Sequence, residues 1–157
     1  MYHKQKKQQG LYRPEYEHDA CGMGFIAHID GIASRAIVDE GLKILARLVH
    51  RGGTGSEPDT GDGAGILMAM PDKFMRKACL DEGVSLPPKG EYAVAQLFLP
   101  FNDNEYENAM DVTLTIIKSR GYDVLHVRNV PHNYHYCGST AQDCMPSFTQ
   151  IFISNGR

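Results

Sequence analysis

The chain has 157 residues and a formal net charge of −3, with 42% hydrophobic and 22% charged residues. That is an ordinary composition for a globular domain, and the length is enough for one sizeable core. The acidic balance argues against the basic face that nucleic acid requires, and the apolar runs, such as 65–71, are far too short to span a membrane.

Residues 1–20 are polar, contain Gly10 and Pro14, and keep no sustained period. Lys4, Lys6 and Lys7 are followed by Gln8, Gln9, Arg13, Glu15 and Glu17 instead of an apolar stretch, so this segment is not a secretory signal. It reads as a leader preceding a domain at 21–157, and the expected compartment is the cytoplasm. In that compartment Cys21, Cys79, Cys137 and Cys144 are expected to be free thiols.

Periodic structure is expected from Cys21 onward. Residues 22–29 carry Phe25, Ile26 and Ile29 and end at Asp30-Gly31, which predicts a strand running into a tight turn. Ser34 is placed to cap a helix on which Val38, Leu42, Leu45 and either Leu48 or Val49 recur, ending at His50-Arg51-Gly52-Gly53. A glycine-rich loop over 52–63 leads into an apolar run at 64–70, short enough for a buried strand. Pro71 and Asp72 open a second helix that fades at Gly83. Residues 92–99 predict a strand. Asn102 with Glu105 resembles a capping box, and the helix it opens carries Tyr106, Met110, Leu114 and Ile117 on one stripe, stopping at Gly121. Two more strands are expected at 123–130 and 149–153, separated by a polar loop bearing His and Cys. Alternation of strand and helix alone predicts an α/β fold with a parallel sheet.

The most specific stretch is Glu17-His18-Asp19-Ala20-Cys21-Gly22-Met23-Gly24-Phe25-Ile26-Ala27. It is followed by His50-Arg51-Gly52 and by Pro58-Asp59-Thr60-Gly61-Asp62-Gly63-Ala64-Gly65-Ile66. Together these blocks resemble the start of the class-II glutamine amidotransferase (glutaminase) domain of glutamate synthases. The resemblance covers roughly residues 15–153, the later part more loosely, and stops before that domain is complete. It implies an α+β fold, the four-layer αββα sandwich of N-terminal-nucleophile hydrolases, incomplete at the C-terminus. It overrides the parallel-sheet expectation, because the sheets of that fold are antiparallel. It also implies hydrolysis of L-glutamine to glutamate, with ammonia passing to a synthase domain that aminates 2-oxoglutarate. The full family enzyme uses FMN, an iron–sulfur cluster and NAD(P)H or ferredoxin. None of that machinery is expected in this chain, whose partners would be the remaining glutaminase and synthase portions on another chain. The family's oxyanion asparagine-glycine lies further on; Asn155-Gly156 is the right dipeptide in the wrong place.

The chemistry can be argued beside the resemblance. A cysteine attacks an amide only as thiolate, and its free pKa is about 8.5. An α-amino group, with a pKa of about 7.7–8.0, can take the thiol proton. Cys21 acquires such an amine only if the Ala20–Cys21 bond is cut, so a leader before an internal Cys-Gly makes mechanistic sense. Gly22 and Gly24 leave room beside the thiol for a substrate amide. A lone cysteine is more often a small core residue; the flanking blocks favour the nucleophile. The resemblance implies that Arg51 helps to shape the glutamine pocket, a role that suits a guanidinium facing a carboxylate. Its bland alternative is a cation complementing the end of a helix. His50 reads as structural.

Two loops invite rival readings. The stretch 59–65 lacks the Gly-Lys-Ser/Thr of a phosphate loop, and Asp59 and Asp62 would repel phosphate. Gly61 stands where a calcium ligand would be needed. It is read as a tight turn whose backbone comes close to the nucleophile strand. The loop 132–144 carries His132, His135, Cys137 and Cys144, but their spacing matches no common zinc pattern. A non-catalytic binding module, metal-linked through this loop, is the alternative function.

Overall fold

The computed structural model describes residues 22–48, 57, 60, 61 and 63–156. The chain divides into two compact units, one made of Met1–Gly55 and Gly61–Leu67, the other of Ser56–Thr60 and Met68–Arg157.

Among the described residues of the first unit, the helix is α1, Arg35–Arg47. Ser34 occupies the N-cap with extended backbone, but its side chain makes no capping bond. The helix stops at Leu48, before the expected end; residues 49–53 lie outside the described residues. The two strands expected here are not formed. Residues 22–29 and 64–70 are irregular, with Phe25 93% and Leu67 100% exposed. Their apolar side chains suit a strand, but a strand exists only where a neighbour takes its N–H and C=O groups.

The second unit is built on a sheet. Helix α2 (Asp72–Asp81) precedes strand β1 (Tyr92–Leu99). Helix α3 (Asp103–Ser119), strand β2 (Tyr122–Asn129), a 3-10 turn at Tyr134–Tyr136, short helix α4 (Ser139–Asp143) and strand β3 (Ser147–Asn155) follow. The strands are ordered β1-β3-β2, and both pairings are antiparallel. The parallel sheet that alternation predicts is therefore wrong. The last strand in sequence inserts between the two earlier ones and runs against both.

Period-two alternation gives the sheet two unlike faces. On one, Leu99 and Ile151 pack with Met110 of α3, flanked by Tyr106, Leu114 and Ile117, the stripe expected of that helix. On the other, Phe152 is fully buried with Cys79 of α2 and Leu86. Sealing a phenylalanine of this kind stabilises the fold by about 1.5–3 kcal/mol. That second face also carries a polar chain across all three strands. Gln150 donates to Gln96 at 3.1 Å and accepts from Arg128 at 3.0 Å; Arg128 reaches Glu82 at 3.1 Å, and His126 meets the same carboxylate at 2.6 Å.

Helix ends follow the sequence signals where donors and acceptors can be met locally. Asn102 Oδ1 accepts from Glu105 N–H at 3.3 Å, the expected cap. Gly83 and Gly121 follow α2 and α3 with φ of +81° and +80°, the left-handed conformation that ends a helix at low cost only for glycine. Among the described residues no helix is long and apolar enough to cross a membrane.

Candidate active site

Of the residues singled out from sequence, Cys21 and Arg51 lie outside the described residues, as do His50, Asp59 and Asp62. Gly22 is described; it is exposed and irregular, next to the expected nucleophile.

Within the first unit, one face of α1 receives two backbone segments. Gly24, three residues after Cys21, lies against Ile44: a Cβ at Gly24 would stand 2.6 Å from Ile44 Cγ2, so a methyl there would force a shift. Gly41, one helical turn before Ile44, leaves space for Ile66. A Cβ at Gly41 would come within 3.1 Å of the flexible Ile66 Cδ1. Positions 41 and 44 share a helix face. The segment after Cys21 and the segment after the glycine-rich turn are therefore seated on adjacent turns of one helix.

Within the second unit, Glu57 gathers donors from two directions. Its carboxylate accepts from Ser139 Oγ at 2.6 Å, Thr60 Oγ1 at 2.7 Å and Thr140 N–H at 3.1 Å. These bonds, that from Ser139 first, hold its pKa down to about 2. Sequence reasoning missed this cluster. Glu57 and Ser139 are 82 residues apart, and no spacing rule links a glutamate to a serine so distant.

The His and Cys side chains of 132–144 do not form a ligand set. His132 Nδ1 lies 3.2 Å from the Val130 carbonyl, and its ring packs edge-on against Phe148. Among the described residues no group of three or more His, Cys, Asp or Glu side chains could hold a metal ion. Cys79, Cys137 and Cys144 are free thiols; Cys79 is buried and its pKa is raised by burial, while the two loop cysteines are exposed. Asn155 ends β3, and Gly156 sits against the Gly121 carbonyl and the Asp123 carboxylate, so this dipeptide is engaged at a strand end.

The family model of the class-II glutamine amidotransferases matches residues 21–157. The chain is 45% identical over 152 residues to the large chain of an NADPH glutamate synthase from Bacillus subtilis, covering 97% of this chain and 10% of that protein. It is 37% identical to an NADH glutamate synthase of Schizosaccharomyces pombe (92% of this chain, 7% of that protein). It is 36% identical to the ferredoxin-dependent glutamate synthase of Spinacia oleracea (87% and 8%). The chain spans a tenth or less of the length of these relatives. With the family model matched over 21–157, the chain belongs to the class-II glutamine amidotransferases, a family of N-terminal-nucleophile hydrolases.

Proposed function

We propose that this chain is the front part of the glutaminase domain of a glutamate synthase, and that Cys21 is its nucleophile once residues 1–20 are removed. The observation that carries the reading is the family match opening at Cys21 itself, three residues before Gly24, which lies against Ile44 of α1. In this proposal the domain completes the four-layer αββα sandwich, the described antiparallel sheet being part of one of its two sheets.

The α-amino group of Cys21 takes the thiol proton, and the thiolate attacks the side-chain amide carbon of L-glutamine. The tetrahedral intermediate collapses as the C–N bond breaks, and the ammonium returns its proton to the departing nitrogen. Ammonia leaves and a thioester remains. Water then attacks the thioester, the amine accepts its proton, and glutamate departs with the thiol restored. Arg51 holds the substrate carboxylate, and Gly22 leaves space beside the sulfur.

Ammonia passes to a synthase portion that aminates 2-oxoglutarate, where FMN, an iron–sulfur cluster and NAD(P)H or ferredoxin supply electrons. The described residues do not fit a cluster: Cys79 is sealed in the core, and Cys137 and Cys144 do not converge with other ligands. We assign those groups to portions of the enzyme beyond these residues, in the cytoplasm. The test is ammonia release from glutamine by the whole protein and by its Cys21→Ser variant. Turnover lost in the variant supports the reading; turnover retained overturns it.

A further inference from the structure

Helix α3 fills its side of the sheet unevenly. On that side β1 carries Leu97 and Leu99 at its end, but only Ala93 and Ala95 toward its start. The alanines are level with the last residues of β3, for Ala93 pairs with Ile153 and Ala95 with Ile151. Two methyl groups fill little of the space beside the last turns of the helix. An open groove of about 920 Å³ lies there, within the second unit, with Ala93, Ile116, Ile117, Tyr122 and Ile153 along it. Its apolar walls are accessible: Ile116 is 53% and Tyr122 48% exposed.

Two charged side chains border the same groove. Arg120 follows the last residue of α3, and Glu91 precedes the first residue of β1. Among the described residues neither makes an ion pair or a side-chain hydrogen bond, with the other or with any third group. In the same unit, by contrast, Arg76 is paired with Asp72 and Arg128 with Glu82. Asp123 also lines this end, but its carboxylate lies beside Gly156. None of the residues assigned to glutamine lines the groove.

An apolar floor between one unpaired cation and one unpaired anion suits a zwitterion with an apolar body. The guanidinium of Arg120 offers paired donors to a carboxylate, and the Glu91 carboxylate accepts from an ammonium. The volume lies near the top of the range of about 300–1,000 Å³ that small-molecule pockets span, which favours a ligand longer than one amino acid. We propose that this groove binds a short zwitterionic peptide with apolar side chains, its carboxylate on Arg120, its ammonium on Glu91 and its side chains over Ala93, Ile116 and Ile153. Because both charges are accessible to water, binding is weak and selective for free peptide ends.

The test is equilibrium dialysis of the whole protein against labelled L-leucyl-L-leucine. Arg120→Gln and Glu91→Gln should each weaken binding roughly fivefold, the upper range for an accessible ion pair. Ala93→Leu places a large side chain in the hollow and should weaken binding by about tenfold or more. The same dipeptide acetylated at its N-terminus and amidated at its C-terminus should bind the parent more weakly, and should lose nothing further in the two charge variants. No binding by the parent, equal binding of the blocked dipeptide, or binding unaltered by Ala93→Leu would overturn the proposal. Free leucine held as tightly as the dipeptide would overturn the assignment to a peptide.

Discussion

At the scale of single residues, charge and burial set the behaviour of the acidic groups. Hydrogen bonds from Arg76 and then Tyr92 lower the pKa of Asp72, and the bond to His126 lowers that of Glu82. Among the described residues Glu57 is the most displaced, from the ordinary 4.5 to about 2. A carboxyl whose folded pKa is depressed adds stability that is fully present above its unfolded pKa, and that stability is lost as pH falls through the folded value. The contribution of Glu57 should therefore be intact above about pH 5 and drain away between there and about pH 2. Acid unfolding of the parent and of Glu57→Gln checks this. The two curves should differ by only a small gap near neutrality, because the carboxylate is accessible, and that gap should close toward pH 2; a constant gap would mean that ionisation of Glu57 plays no part. Nothing in the sequence marks Glu57, because its partners are joined to it only by the folded path of the chain.

At the scale of elements, local signals were readable and non-local ones were not. The stripe of Tyr106, Met110, Leu114 and Ile117 was legible because helical period needs no partner, and these residues meet Leu99 and Ile151 as expected. The direction of the sheet was not legible from the pattern of elements, although the family resemblance implied antiparallel sheets. Alternation of strand and helix is satisfied by several topologies, and only pairing β3 between β1 and β2 makes it antiparallel. Residues 22–29 and 64–70 were misread because apolar content was visible while a strand partner was not. The seats of these segments on α1 give a paired prediction. Gly41→Ala should be tolerated, since Ile66 Cδ1 can yield and alanine gains up to about 1 kcal/mol of helix propensity over glycine. Gly24→Ala should disturb the segment after Cys21 and slow glutamine turnover, because Ile44 Cγ2 would stand 2.6 Å from the new methyl. Thermal unfolding and ammonia release compare the two; equal turnover in both variants would show that Gly24 packing does not bear on the site.

At the scale of the whole molecule, the family was legible from three short blocks, and the family match over 21–157 agrees with it. Those blocks were informative because their chemistry is specific: a thiol followed by two glycines, an arginine after a helix, and a glycine-rich turn. The His and Cys loop was less so, since residue types alone do not bring side chains together, and His132 turns to Phe148 instead. In the proposed mechanism Cys21 becomes the first residue and is the reactive thiol. Peptide mass mapping of the whole protein after treatment with a glutamine-mimicking diazoketone tests it most directly. One label is expected, on a peptide that begins at Cys21, with Cys79 spared because it is buried and its thiol pKa is raised. A Cys21 peptide that is unlabelled, or still joined to Ala20 in material active on glutamine, would contradict it.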